Sequence, residues 1–223
     1  MIRIIGLRHR LVKIPALDVD ARHVAVIGPN GSGKTTLLNL CAGMEEPDEG
    51  SILLAGRRPS EIRIGWVGEF PDRTLLFSRV YDEIASSPRF RHRPCRETHE
   101  RVIITAEAIG VSHLLEKSVS DLSGGEKVLV ALAAACADDP EVLILDEVDS
   151  HLDEETTQRI RRAVQNSTAL HLLWCTQAMD IASEADCVLY LRNGTVQHCG
   201  APEDVFEKLE NTCFYPSLWR VGR

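Results

Sequence analysis

The run Gly28-Pro29-Asn30-Gly31-Ser32-Gly33-Lys34-Thr35-Thr36 constrains this chain more than any other stretch. It has the form G-x-x-x-x-G-K-T. The short apolar run Val24-Ala25-Val26-Ile27 before it reads as a buried strand. Leu37, Leu38, Leu40 and Cys41 after it recur at helical spacing. A strand, a glycine-rich turn and a helix start are the setting of a phosphate-binding loop. Glycines let the backbone curl until successive N–H groups converge as an anion nest, and the helix N-terminus adds partial positive charge. Lys34 then reaches the terminal phosphates, and the Thr35 hydroxyl ligates Mg²⁺. Residues Gly28 to Thr36 are therefore predicted to hold a nucleotide.

With 223 residues the chain can bury a core, as one large domain or as a core with a subdomain. Its formal net charge of -8 and pI near 5.5 weigh against a broad basic surface for nucleic acid. No apolar run reaches the roughly 18 residues that a membrane span requires. No signal-peptide core follows the first apolar stretch. The seven cysteines include no C-x-x-C pair, and Cys41, Cys136, Cys175 and Cys187 sit in apolar runs, which points to a reducing cytoplasm.

Strands are predicted at Ile2–Ile5, Leu11–Ile14, Val24–Ile27, Ser51–Leu54 and Arg63–Val67. Proline, arginine and histidine crowd Ser87–His99, where no strand pattern fits. Val102, Ile103, Ala106 and Ile109 recur at helical spacing within Glu97–Leu115. Alternation then resumes. Strands are predicted at Val142–Leu145, Leu170–Cys175 and Cys187–Leu191, with helices near Glu154–Gln165 and Met179–Glu184. Asn193-Gly194 marks a hairpin turn into Thr195–His198. The predicted division is an α/β core over 1–69 and 136–210, an inserted helical subdomain over 70–135, and a tail over 211–223.

Two further stretches carry chemistry. Val142-Leu143-Ile144-Leu145-Asp146-Glu147 is an apolar strand ending in two carboxylates. Such a strand delivers Asp146 to the edge of a sheet beside Mg²⁺ and places Glu147 one residue further, to polarise water. Alone, the pair reads better as a helix-capping Asp-Glu. Upstream, Leu122-Ser123-Gly124-Gly125-Glu126 precedes the apolar stretch Val128–Ala137. Ser123 suits an N-cap, and the glycines expose backbone N–H groups at a helix start.

These three motifs, in this order and spacing, resemble the nucleotide-binding domain of ABC ATPases over residues 2 to about 210. Gly28–Thr36 resembles Walker A, Leu122–Glu126 the LSGGQ signature with Glu in the last place, and Val142–Glu147 Walker B with its catalytic Glu. Asp149-Ser150-His151-Leu152-Asp153 is similar to the D-loop. The resemblance implies an α/β P-loop NTPase core, a RecA-like parallel sheet plus N-terminal antiparallel β strands, with an inserted helical subdomain. It also implies ATP and Mg²⁺ as ligands. A second ABC ATPase subunit, identical or not, would supply Ser123, Gly124, Gly125 and Glu126 in trans to the γ-phosphate.

Three positions depart from the family pattern. Glu69 stands where a Q-loop glutamine is expected; it would ligate Mg²⁺ or orient water, or else be an ordinary loop acid. Gln177 replaces the switch histidine, offering a neutral amide to the γ-phosphate but no proton. No aromatic stands where adenine would stack; His9 or Leu11 occupies that region. His92, Cys95 and His99 supply only three metal donors in an Arg-rich stretch and read as solvated surface.

The segment Phe70-Pro71-Asp72 through Glu83-Ile84 resembles the Q-loop region of energy-coupling-factor and cobalt-type importer ATPases. That resemblance implies an ATP-hydrolysing subunit on the cytoplasmic face of the membrane, driving a separate transmembrane subunit by dimer closure. Thr35, Asp146 and Glu69 would surround Mg²⁺, with Lys34 on the phosphates, Glu147 as general base and Gln177 as γ-phosphate contact. Two alternatives are a soluble SMC or recombination-repair-like ATPase acting on DNA, and a nucleotide-gated regulatory protein with weak turnover. Against the first, no long coiled coil separates the motifs.

Overall fold

A computed structural model of the chain describes residues 2–150 and 152–221. Two compact units emerge, one over 1–62, 144–147 and 170–223, the other over 63–143 and 148–169.

The first unit opens with a hairpin. β1 (Ile2–His9) buries Ile2 and Ile4 and exposes Arg3 and Ile5, the two-residue period of a half-buried strand; an irregularity at Gly6 (φ 61°) shifts that period by one, so that Leu7 is the next buried residue. β2 (Val12–Val19) pairs with it antiparallel, Ile2 opposite Val19 and His9 opposite Val12. This strand continues past the expected Ile14 because Pro15 is tolerated there: β2 ends the sheet order, so no further strand needs its missing N–H. β3 (His23–Ile27) then leads into the phosphate loop and helix α1 (Lys34–Cys41). β4 (Glu49–Leu54) returns to β1, giving the order β2-β1-β4.

In the second unit, β5 (Ile64–Val67) precedes three helices, α2 (Val80–Phe90), α3 (Cys95–Ile109) and α4 (Gly124–Cys136). β6 (Val142–Asp146) leads from this unit into the first, with all five residues buried. Helix α5 (Glu154–Gln165) belongs again to the second. The polar stretch Ser87–His99 closes α2, crosses His92 at φ 57°, and starts α3 after Pro94. Its arginines serve as hooks. Arg91 and Arg93 both reach the buried carboxylate of Asp138, and Arg101 reaches Asp139.

β7 (His171–Cys175), helix α6 (Met179–Ala182), β8 (Cys187–Arg192), β9 (Thr195–Gly200) and helices α7 (Pro202–Lys208) and α8 (Ser217–Val221) complete the first unit. There the strand order is β6-β7-β3-β8-β9, with β3 parallel to both β7 and β8. Asn193 (φ 49°) and Gly194 (φ 75°) form the turn between antiparallel β8 and β9, as the Asn-Gly pair predicts. The tail packs on this unit's core. Trp219 meets Phe206 and Tyr215 edge-on at 5.5 and 6.1 Å, and Phe214 lies 5.4 Å from Tyr190. Among the described residues no helix is long and apolar enough to cross a membrane.

Candidate functional site

Parallel strands present their C-terminal ends at one edge of a sheet. The phosphate loop follows β3, Asp146 ends β6, and Thr176 and Gln177 follow β7. Two backbone bonds lock the register here. The Glu147 N–H donates to Cys175 O at 2.9 Å, and the Thr176 N–H to Val26 O at 3.3 Å.

The loop itself is braced from β8 and the turn beyond it. Gly28 has φ +146°, and a Cβ there would stand 2.0 Å from Leu191 O, so no larger residue fits. The Gly194 N–H donates to Ser32 O at 2.9 Å. Lys34 opens α1 and is 95% buried, an expensive place for an ammonium unless paired. Its Nζ donates to Gly28 O at 3.0 Å and Pro29 O at 3.3 Å, and lies 3.2 Å from Glu147 Oε1.

Glu147 sits at φ +50°, a left-handed conformation that costs a non-glycine residue about 1–2 kcal/mol. Strain of this kind concentrates at functional sites. Here it coincides with a carboxylate gripped on both oxygens: Lys34 meets Oε1, and Gln177 Nε2 donates to Oε2 at 2.7 Å. The same Gln177 amide donates to Asn30 Oδ1 at 3.1 Å, joining the loop after β7 to the phosphate loop. Asp146 is buried, and desolvation pushes its carboxyl above the ordinary range; a hydrogen bond from the Thr35 hydroxyl and one with the Cys175 thiol oppose the shift. Its Oδ1 is a buried oxygen with no hydrogen-bond partner. Thr35 and Asp146 thus combine a hydroxyl with an unsatisfied carboxylate oxygen, a hard-oxygen set that fits Mg²⁺.

Lys34, Thr35, Asp146, Glu147 and Gln177 therefore converge in one unit. Glu69 follows β5, half-buried, in the other unit, which also holds the signature residues. There Ser123 caps α4 by accepting the Glu126 N–H at 3.3 Å, and Glu126 Oε2 accepts the Ser123 N–H at 2.8 Å. That reciprocal cap holds the Glu126 carboxyl below its ordinary range. The S-x-x-E spacing is the signal of such a box, with Ser123 as the N-cap and Glu126 as its reciprocal partner. Gly125 is crowded, since a Cβ there would meet Thr156 Cγ2 at 2.7 Å. The D-loop position His151 lies outside the described residues.

His9, at the end of β1, is held by two carboxylates. Its Nε2 lies 2.8 Å from Glu45 and its Nδ1 3.2 Å from Asp48, and its side chain is only 11% exposed. Hydrogen bonds from His9 and Asn39 lower the Glu45 pKa. His99 Nδ1 lies 3.0 Å from the Tyr81 hydroxyl, and among the described residues no three His, Cys, Asp or Glu side chains gather as a metal site. Asn30 and Cys175 were missed as neighbours of Glu147's network; no local spacing links residues so far apart.

A phosphate loop after β3, a buried Asp at the end of β6 and a strained Glu beside it define a P-loop ATPase core. The sequence profile of the family described as ABC transporter matches residues 18–150, and the chain belongs to that family. It is 36% identical over 210 residues to a Pyrococcus furiosus protein that carries the name ABC transporter ATP-binding protein, covering 90% of this chain and 80% of that one. It is 35% identical over 230 residues to a sulfate/thiosulfate import ATP-binding protein of Acinetobacter baylyi, covering 98% of this chain but 65% of the relative's length. The fold matches cbiO1 from Clostridium perfringens, part of the ABC transporter complex cbiONQ, with TM-score 0.82 and 26% identity over 99% of this chain and 96% of that one.

Proposed function

We propose that this chain is the ATP-binding and ATP-hydrolysing subunit of an ABC importer, acting at the cytoplasmic face of the membrane through a separate transmembrane subunit. The observation that carries the reading is the convergence of Lys34, Asp146, Glu147 and Gln177 on one sheet edge.

Lys34 transfers its Nζ from the loop carbonyls to the β- and γ-phosphates. Thr35 and Asp146 would hold Mg²⁺, with Glu69 the further oxygen ligand that the sequence offers, and the ion would supply positive charge to offset that of the phosphates. The loop N–H groups from Gly28 to Thr36 cradle the remaining oxygens. Glu147 orients the attacking water and accepts its proton. Gln177 steadies the Glu147 carboxylate and offers an amide to the γ-phosphate. Being unable to carry a proton or a charge, it supports slow turnover rather than none. Ser123, Gly124, Gly125 and Glu126 present a capped helix start that closes over the γ-phosphate of a second chain.

The membrane partner is supported by a surface in the second unit. Phe70, Leu76 and Phe90 are 44%, 75% and 68% exposed, unusual for large apolar side chains. Buried Glu83 holds this segment by accepting the N–H groups of Leu76 at 2.8 Å and Phe77 at 2.7 Å. The relatives' names, an import ATP-binding protein and a part of an ABC transporter complex, favour this reading over a DNA-acting one. Sizing of a Glu147→Gln variant tests the dimer step: it should elute as a dimer with Mg-ATP and as a monomer without. A monomer under both conditions would count against ATP-driven closure.

A further inference from the structure

Two of the seven cysteines meet across the last hairpin. In the β8–β9 ladder Leu189 stands opposite Cys199 and Val188 opposite Gly200. Cys187, two residues before Leu189, shares a face of the sheet with Cys199. Their Sγ atoms are 3.8 Å apart. Cys199 is exposed and Cys187 is 7% exposed, so a reagent little larger than water reaches the pair from the Cys199 side. Strand β9 ends the order of its sheet, which leaves its outer side without a further strand to resist adjustment. Cys41, by contrast, is fully buried, and burial pushes its thiol up to about 12, an inert core position.

We propose that Cys187 and Cys199 are a modification site, a dithiol that hydrogen peroxide oxidises to an intrachain disulfide. The Cys187 thiolate attacks one peroxide oxygen, the O–O bond breaks, and the departing hydroxide takes a proton to leave as water. Cys187 is then a sulfenic acid. The Cys199 sulfur attacks that sulfur, the S–O bond breaks, and the oxygen leaves with the Cys199 proton as a second water. Two thiols lose two electrons in all, and one peroxide becomes two waters. The sulfur atoms close from 3.8 Å to about 2.05 Å by side-chain rotation and a small shift of β9.

The local chemistry assigns the roles. A hydrogen bond from the Cys199 thiol, aided by the Gly200 N–H, holds the Cys187 thiol below its ordinary range against the cost of burial. The same contact raises the pKa of Cys199. Cys187 is thus the attacking thiol and Cys199 the resolving one. The pair lies on the hairpin whose turn hydrogen-bonds the phosphate loop through Gly194 and Ser32.

The test is peroxide treatment of the reduced full chain, alkylation with iodoacetamide, and peptide mapping by mass spectrometry. A Cys187–Cys199 cross-linked peptide should form at least about tenfold faster than oxidation at the exposed thiols Cys95 and Cys213, and dithiothreitol should reverse it. Both cysteines remaining alkylatable at a dose that oxidises Cys95 and Cys213 would overturn the proposal. So would Cys187 passing to sulfinic acid without a cross-link. In Cys199→Ser, a substitution at an exposed position, dimedone should capture sulfenic acid at Cys187. Failure to capture it would overturn the assignment of Cys187 as the attacking thiol.

Discussion

The phosphate loop and the signature turn are both glycine-rich helix starts, but they are finished in opposite ways. At the first, Lys34 lies buried between two carbonyls and Glu147, while Asp146 keeps an unsatisfied oxygen in reach of Thr35's hydroxyl chemistry. Charged and polar groups there are desolvated and aimed, which is what makes a site strong. At the second, Ser123 and Glu126 satisfy each other, and the turn lies exposed. A helix start so finished is stable without a ligand but contributes little binding by itself. On the proposed reading, the difference teaches that one chain supplies the phosphate-binding half of a site and lends its signature turn to a second chain.

That comparison is open to attack at several points, ordered here by the size of effect. The largest falls on the phosphate loop's carboxylate: Glu147→Gln should lower kcat by about 10²-fold or more while ATP binding persists. Next is the contrast itself. Lys34→Ala should abolish high-affinity ATP binding by the single chain. Ser123→Ala should leave that affinity within a factor of about two yet lower kcat about fivefold, since a helix cap is worth about 1 kcal/mol and its loss loosens the closing turn. Equal loss of single-chain binding in both variants, read by calorimetry, would erase the distinction.

The switch position comes third. A Gln177→His variant restores a charge-capable donor and should raise kcat several-fold to about tenfold, a gain of 1.4 kcal/mol or less. A rate no faster than the parent's would remove Gln177 as the cause of slow turnover. At the apolar surface, Leu76→Asp should weaken capture of the transmembrane subunit while leaving basal ATPase unchanged.

The smallest effect is pH dependence at His23. Burial lowers its pKa below 6.5, with Asp186 opposing the shift. The folded chain then binds fewer protons at His23 than the unfolded one, so this group's stability contribution is complete well above pH 6.5. It is lost as pH falls through 6.5 toward the lowered folded value. His23→Gln should flatten the fall of melting temperature over that window.

Much of this was legible from local pattern. The phosphate loop, the apolar strand ending in Asp146-Glu147 and the Asn193-Gly194 turn each carry their chemistry within ten residues, where spacing speaks. β2 runs on past Ile14 because an edge strand tolerates Pro15. The arginine-rich stretch Ser87–His99 holds no strand, as expected, but its arginines gather on the buried carboxylate of Asp138, a partner that no local spacing names. The Gln177–Asn30 bond spans 147 residues and depends on β7 lying beside β3, which no periodicity encodes. His9 likewise owes its setting to Glu45, 36 residues away. Its two carboxylate neighbours leave the ring engaged rather than open for stacking.

The most direct test of the central claim is steady-state ATP hydrolysis by the purified chain beside Glu147→Gln, with and without Mg²⁺. The account predicts slow, Mg²⁺-dependent turnover that rises more than linearly with protein concentration as dimers form, and that the variant lacks. Turnover equal in parent and variant, or strictly proportional to chain concentration at all levels, would contradict it.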